Sequence, residues 1–201
     1  MKYNGPKTRR ARRVGIALRD KDTKYLVKRN YPPGMHGQGR RRISEFGLHH
    51  MEKQKAKWTY MLSEKQFARY VAEASKKAGM TGDLLLQLLE LRLDNVVYRI
   101  GFASSRAQAR QMVSHGFFTV NGEKVDIPSF HVKPGDVVAV GENKKSSKLI
   151  QNLLLTLKDA KLQEWLSLDA KNLSGKVLSL PSRDLTGSII SMDLIVEHYN
   201  R

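Results

Sequence analysis

The sequence contains no cysteine, which excludes disulfide bonds, thiolate zinc sites and cysteine nucleophiles. No apolar run approaches the roughly 18 residues that a membrane-spanning helix needs. The first residues are basic and polar, without the apolar stretch of a secretory signal. These absences are typical of a cytosolic protein that works outside the membrane.

Acidic residues are scarce: 19 Asp and Glu oppose 36 Lys and Arg, giving a formal net charge of +17. Residues 1–60 hold 17 basic and 4 acidic residues, residues 61–150 hold 13 and 9, and residues 151–201 hold 6 of each. Charge that served only solubility would be spread evenly. A membrane-surface helix would oppose its charge with a large apolar face, which residues 1–45 lack. The distribution therefore indicates binding to a polyanion.

The N-terminal part of the chain is predicted to be a basic arm over residues 1–43. Prolines and glycines in Tyr31-Pro32-Pro33-Gly34-Met35-His36-Gly37 favour a turned loop over helix or strand. An arm of this kind lacks core residues and is expected to become ordered on a phosphate surface.

A helical domain is predicted over residues 44–90. Ser44 is a candidate N-cap for a helix over 44–62, and Ser63 with Gln66 forms a capping box for the next helix. Residues 83–100 are predicted to form one long helix. Because that helix is apolar nearly all round, we expect it to be buried from more than one side.

A small module is predicted over residues 91–150. Ser105 with Gln108 begins a short helix over 105–115, and Asn121-Gly122 predicts a hairpin. Residues 137–140 read as a strand. A helix is expected over 148–158, followed by strands at 165–168 and 194–196. The C-terminal segment, 151–201, is expected to pack back on the helical domain. The fold class is therefore α+β, mostly helical at the N-terminus, with an inserted module of two helices and a small antiparallel sheet.

The predicted helix over 105–115 offers the clearest phosphate-binding pattern. Arg106 and Arg110 lie one turn apart, about 6 Å between Cβ atoms, close to the spacing of successive phosphates. Arg99, Lys124, His131 and Lys133 would extend that surface. The alternative interpretation, an ordinary solvated helix face, remains open at this point.

Several motifs of this module resemble the RNA-binding module of small-subunit ribosomal protein four, bacterial type. They are RLDNVVYR (92–99), GF (101–102), SRAQARQ (105–111), VNG (120–122) and KPGD (133–136). The same module occurs in some pseudouridine synthases and tyrosyl-tRNA synthetases. Outside it, GPK (5–7), PGMHG (33–37), EKQK (52–55), EKQF (64–67), TGDLL (81–85) and LIVE (194–197) match the same ribosomal family, so the resemblance covers nearly the whole chain.

The resemblance implies a fold and a role. The N-terminal helices and the C-terminal segment would form one domain, interrupted by the module. The protein would bind the 5′ region of small-subunit, 16S-type ribosomal RNA at a multi-helix junction and nucleate assembly. Expected neighbours are ribosomal proteins five and three of the small subunit and messenger RNA near the channel through which it enters. The protein would influence translational accuracy in the cytoplasm, although the sequence is equally compatible with an organellar ribosome.

The predicted RNA contacts are cations with a few interspersed polar and aromatic side chains. They are Lys7, Arg9, Arg10, Arg12, Arg13, Tyr31, His36, Arg40, Arg41, Arg42, Lys53, Lys55, Lys57, Arg92, Arg99, Arg106, Arg110, Gln111, His115, Lys124 and Lys133. No catalytic residue, metal or cofactor is predicted. Many family members carry an N-terminal cysteine cluster for zinc, which this chain lacks, and residues 181–192 match the family poorly.

Three other functions fit the sequence less well. Arg92-Leu93-Asp94 resembles the catalytic motif of pseudouridine synthases, but it lies in an apolar segment with no synthase-sized domain around it, so we expect Asp94 to pair with an arginine. His49 and His50 are adjacent and point to different helix faces, which suits metal chelation poorly. A repressor or RNA chaperone acting off the ribosome would have the same surface. Tyr31 either shapes its loop or stacks on a base.

Overall fold

The computed structural model describes residues 3, 5–39, 42–147, 149–151, 162–183 and 190–200. The chain forms two compact units, one from Met1–Gly82 with Ile189–Arg201 and one from Asp83–Ser188. The predicted α+β class is confirmed. Most of the helix predicted over 148–158 lies outside the described residues.

In chain order the described helices are α1 (Lys7–Val14), α2 (Asp20–Lys28), α3 (Glu45–Thr59), α4 (Glu64–Lys76), α5 (Thr81–Glu90), α6 (Leu93–Ile100), α7 (Arg106–Ser114), α8 (Glu142–Lys145) and α9 (Met192–Asn200). The described strands are β1 (Phe118–Val120), β2 (Glu123–Lys124), β3 (Val137–Val140), β4 (Leu166–Asp169) and β5 (Ser174–Val177). None of the helices in this described part is long and apolar enough to cross a lipid bilayer.

The prediction of an arm without core residues over 1–43 is wrong, because α1 and α2 lie within it. Arginine has a high helix propensity, and Ala11 and Val14, three residues apart, are buried on one side of α1. Helix α1 packs on α2 and α3. The buried carboxylate of Asp22 ties the first two helices together by accepting a 3.0 Å hydrogen bond from the Thr8 hydroxyl.

Helices α3 and α4 begin where the capping residues predict. The Ser44 hydroxyl accepts a hydrogen bond from the Gly47 N–H, and the Ser63 hydroxyl accepts one from the Gln66 N–H. The strand predicted over 194–196 is wrong, since those residues belong to α9, which packs on α3 and α4. A short apolar run fits a buried helix as well as a strand.

The long helix predicted over 83–100 is divided at Leu91 and Arg92. Arg92 adopts an extended conformation and forms an isolated β-bridge with His131, so the backbone leaves α5 before α6 begins. The Asn95 side chain donates a 3.0 Å hydrogen bond to the carbonyl of Glu90, the last residue of α5. A tertiary contact therefore ends α5 and starts α6.

The five strands form an antiparallel sheet in the order β2-β1-β3-β5-β4. The predicted hairpin is confirmed: Asn121 and Gly122 have φ values of 52° and 89°, as a type I′ turn requires. The predicted strand at 165–168 corresponds to β4. Helix α6 approaches β5 so closely that a Cβ atom on Gly175 would lie 2.6 Å from Cδ1 of Ile100.

Candidate nucleic-acid interface

Helix α1 displays cations toward solvent, and one of them shapes the turned loop over residues 31–37, which we call the proline loop. The Arg12 guanidinium donates to the carbonyls of Tyr31 (3.2 Å) and Pro32 (3.3 Å), and it lies 4.7 Å from the centroid of the Tyr31 ring. Arg9 and Arg13, one turn apart on the same helix, are exposed. Arg12 therefore fixes the loop, while Arg9 and Arg13 are positioned to contact an anion.

A cleft of about 530 Å³ lies between α1, the proline loop and α3. Its lining residues, which together we call the α1–α3 cleft, are Arg9, Arg13, Val14, Pro32, Pro33, Arg42, Ile43, Ser44, Gly47, His50, Met51, Gln54 and Trp58. The lining contains three arginines and no carboxylate. It therefore combines an apolar floor with a cationic rim.

The sequence reasoning missed the α3 side of this cleft. Gly47, Met51, Gln54 and Trp58 follow one another at intervals of three or four residues, and His50 lies three residues after Gly47 and four before Gln54, which places all five on one face of a helix. That spacing was visible in the sequence. The sequence does not show that α1 and the proline loop lie opposite this face.

Arg10 fixes the end of the cleft at Trp58. Its guanidinium lies 3.3 Å from the ring centroid of Tyr3 and 5.1 Å from that of Trp58, within the range of cation–π attraction. Burial lowers the pKa of this guanidinium. Arg10 therefore holds two aromatic rings together.

The three lysines predicted as RNA contacts on α3 are engaged in internal ion pairs. Lys53 is buried and donates to Glu64 at 2.9 Å, and Lys57 donates to the other oxygen of Glu64 at 2.6 Å. Lys55 pairs with Glu52 on the same helix. The predicted contact at Lys53 is therefore corrected, because its ammonium group is not at the surface.

Glu64 joins three helices of the first unit and should control its stability in acid. Desolvation by burial acts to raise the pKa of Glu64, but hydrogen bonds from Lys57, Lys53 and Tyr199 outweigh it and lower this pKa to about 2. Burial, followed by the hydrogen bond to Glu64, raises the pKa of the Tyr199 hydroxyl.

Replacing Glu64 with glutamine should change how stability depends on pH. The pKa of Glu64 is lower in the folded state than the unfolded value near 4.3, so its stabilising effect is present above about pH 4.3 and is lost as pH falls toward 2. Glu64→Gln should be less stable at pH 7 and should lack that acid-dependent loss. Urea titrations followed by circular dichroism across this range measure it. Glu73→Gln on α4 is the control, and equal pH profiles for the wild type and Glu64→Gln would rule the effect out.

In the second unit, Asp94 is buried between two arginines. Arg92 donates to both carboxylate oxygens, at 3.1 and 2.8 Å, and Arg110 donates to one of them at 3.3 Å. The expectation that Asp94 pairs with an arginine is confirmed. Arg92 is 0% exposed, so its predicted contact with RNA is corrected: its guanidinium serves the interior of the unit.

A second buried carboxylate, Glu90, organises the neighbouring cations. It accepts hydrogen bonds from the Asn95 amide at 2.6 Å and from Arg99 at 2.9 and 2.6 Å. The Asn95 oxygen in turn accepts a 2.8 Å hydrogen bond from Nε of Arg106, whose guanidinium lies 4.5 Å from the Tyr98 ring centroid. The α7 arginines are thus anchored from beneath by α6.

The predicted contact residues divide by their exposure. The exposed ones are Arg9, Arg13, His36, Arg42, Gln111, His115, Lys124 and Lys133. The half-buried ones are Lys7, Arg10, Arg12, Tyr31, Lys55, Lys57, Arg99, Arg106 and Arg110, and the buried ones are Lys53 and Arg92. Arg40 and Arg41 lie outside the described residues.

The histidines of α3 take part in helix packing. His49 is buried and lies 3.3 Å from the Glu197 carboxylate on α9, while His50 contacts the rings of Phe46 and His198. Across the described part of the chain, no three His, Asp or Glu side chains converge as metal ligands would.

The α+β architecture and the cationic faces of both units define the class: an RNA-binding protein built around a small helix-and-hairpin module. Residues 2–90 match the model of the ribosomal protein S4/S9 N-terminal domain, and residues 91–138 match the S4 domain. The chain is 48% identical to small ribosomal subunit protein uS4 of Akkermansia muciniphila and 47% identical to those of Rubrobacter xylanophilus and Thermus thermophilus. Each match covers 100% of this chain and 99% of the relative. The chain belongs to the uS4 family of small-subunit ribosomal proteins, which is a structural and non-enzymatic family.

Proposed function

We propose that this protein is a structural constituent of the small ribosomal subunit that binds 16S-type ribosomal RNA directly. It binds a multi-helix junction in the 5′ region early and thereby nucleates assembly. The observation that carries this proposal is the full-length similarity to uS4 proteins, together with a cationic cleft in which no described carboxylate takes part.

Binding involves no covalent chemistry. Arg9, Arg13 and Arg42 of the first unit contact phosphates, and no described carboxylate forms an ion pair with any of them. Arginine can direct two donors at one phosphate, which gives geometric as well as electrostatic preference. Helical RNA is recognised largely through its backbone and 2′-hydroxyl groups, so the protein selects the shape of a junction more than its sequence.

The second unit contributes the face of α7 and the hairpin. Arg106 and Arg110 lie on this face. Gln111 and His115 follow closely in the sequence and are exposed, and so is Lys124 on β2. The hydrogen bonds from Arg106 to Asn95 and from Arg110 to Asp94 restrict the arginine rotamers before RNA binds. Such preorganisation lowers the entropy lost on binding.

Further partners follow from the family resemblance. On the assembled subunit, the protein contacts ribosomal proteins five and three and lies near messenger RNA at the channel through which it enters. Through these contacts it influences translational accuracy. The site of action is the cytoplasmic ribosome.

Sedimentation in high salt distinguishes a ribosomal constituent from a free RNA-binding repressor. A tagged copy expressed in cells should migrate with small subunits on a gradient at roughly 0.5 M salt, because many phosphate contacts and neighbouring proteins hold it in place. We expect about one copy per particle by quantitative mass spectrometry. Release to the top of the gradient, with the subunits intact, would contradict the proposal.

A further inference from the structure

Phosphate binding alone does not account for the apolar floor of the α1–α3 cleft. Met51, Trp58, Val14 and the two prolines Pro32 and Pro33 provide apolar surface directly beside the arginines. A phosphate needs donors and charge, and it gains nothing from a thioether or an indole. The volume of about 530 Å³ falls within the roughly 300–1,000 Å³ typical of small-ligand sites.

The charge of the cleft favours an anion, and its apolar side chains favour an occupant with a flat apolar part. Among the described residues, no carboxylate in the lining balances its three arginines. Aromatic side chains bind nucleobases by stacking, and arginine binds phosphate through paired donors. A nucleotide carries both groups a few ångströms apart.

Two polar side chains of α3 also line the cleft. Gln54 Nε2 lies 3.3 Å from Nε2 of His50, and the buried Oε1 of Gln54 has no hydrogen-bond partner among the described residues, so a rotation of this amide would give a base edge both a donor and an acceptor. Burial, followed by the charge of Lys53, lowers the pKa of His50, which favours the neutral ring.

We propose that the α1–α3 cleft binds a single unstacked nucleotide of an RNA strand, with its base against Met51 and Trp58 and its phosphates at Arg9, Arg13 and Arg42. The inference rests on the proposed function, because it names the part of the RNA that this surface takes. A nucleotide in a duplex cannot enter, since its base faces are already stacked, and bases of loops and bulges are the ones that proteins read individually.

A nucleotide fits this cleft better than an extended peptide does. Peptides that lie in grooves commonly pair with exposed backbone groups of a sheet edge. Here no described strand lines the cleft. Most of its lining residues belong to α1 and α3, whose backbone groups bond within their own helices, and the others lie in the proline loop and in the segment just before α3. The cleft therefore offers stacking and cationic contacts instead of a backbone ladder.

Filling the cleft without changing its charge tests the proposal. The Met51→Trp variant places an indole where the base would lie, and we expect affinity for the 5′-region junction RNA to fall about tenfold, the loss of one stacked base. Leu48→Trp is the matched control, because Leu48 is exposed on the same helix and does not line the cleft. It should bind within about twofold of wild type. Filter-binding titrations of the full chain measure both, and circular dichroism verifies that both fold.

Photochemical crosslinking identifies the nucleotide. Ultraviolet irradiation of the wild-type complex, followed by mass spectrometry, should link the peptide containing Met51 and Trp58 to one unpaired nucleotide, and Met51→Trp should abolish this link. Equal affinity of Met51→Trp and wild type, or crosslinks spread over paired nucleotides, would overturn the cleft assignment. In that case wild-type binding to the junction RNA would still support the proposed function, whereas failure of the wild type to bind would overturn both.

Free nucleoside monophosphate, added as competitor, should displace the RNA only at millimolar concentration, and displacement at micromolar concentration would indicate a free-nucleotide site instead.

Discussion

Replacing Asp94 with alanine is expected to lower the free energy of unfolding of the second unit by about 3–5 kcal/mol, the usual cost of leaving a buried charge uncompensated. Arg92 is fully buried and directs two hydrogen bonds at this carboxylate. Without Asp94 its guanidinium keeps its charge, because the pKa of arginine is too high for deprotonation. The penalty should be far larger than that for an ordinary surface pair.

Fluorescence can isolate this effect in the second unit. Trp165 is buried in that unit, whereas Trp58 belongs to the first, so urea titrations in a Trp58→Phe background report the second unit alone. Asp126→Ala, which removes an exposed carboxylate from the same unit, is the control and should change stability by less than about 0.5 kcal/mol. Equal unfolding midpoints for the two variants would show that the Asp94 network does not stabilise the unit.

Replacing Arg9 and Arg13 together with glutamine is expected to weaken binding to the junction RNA about a hundredfold at roughly 50 mM salt and about tenfold at 0.2 M, as estimated for the loss of two phosphate contacts. Both side chains are exposed on α1, and neither forms an ion pair with a described carboxylate. The slope of log K against log salt should become less negative by about 1.4–1.8.

Two controls separate phosphate contact from total charge. Lys65→Gln with Lys76→Gln removes the same charge from exposed positions on α4 and should change the slope less. Arg9→Lys with Arg13→Lys keeps the charge but loses the paired donors, so it should retain the slope while lowering affinity at every salt concentration. An unchanged slope in the double glutamine variant would remove α1 from the proposed interface.

The parts of the fold that the sequence predicts correctly are those set by local chemistry. Ser44 and Ser63 cap the helices they precede, and Asn121-Gly122 adopts the positive φ values that its hairpin demands. In each case a few adjacent residues decide the geometry, so no distant contact is needed to identify the element.

The predictions are wrong where contacts between distant parts of the chain determine the secondary structure. The division between α5 and α6 depends on the bridge from Arg92 to His131, which no local pattern reveals. Helix α1 was missed because a single buried pair, Ala11 and Val14, is too short a pattern to stand out among arginines. Residues 194–196 form a helix because they pack on α3, far away in sequence.

The candidate site shows the same division. The exposed cations Arg9 and Arg13 could be named from composition and the family resemblance, since most arginines lie at the surface. The burial of Arg92 and Lys53 could not be predicted from the sequence, because it depends on Asp94 and Glu64 as their partners. The α1–α3 cleft is formed by three segments that meet only in the folded first unit.

The most direct test of the central claim, that a folded cationic surface holds a particular RNA shape by its backbone, is a competition titration of the full chain. Labelled junction RNA from the 5′ region of 16S-type ribosomal RNA is bound at about 0.2 M salt and challenged with either the same RNA or a plain duplex of equal length. We expect the unlabelled junction to displace the label at least about a thousandfold more effectively, near the lower bound seen for specific nucleic-acid binding. Equal displacement by the two competitors would show that the protein responds to charge alone.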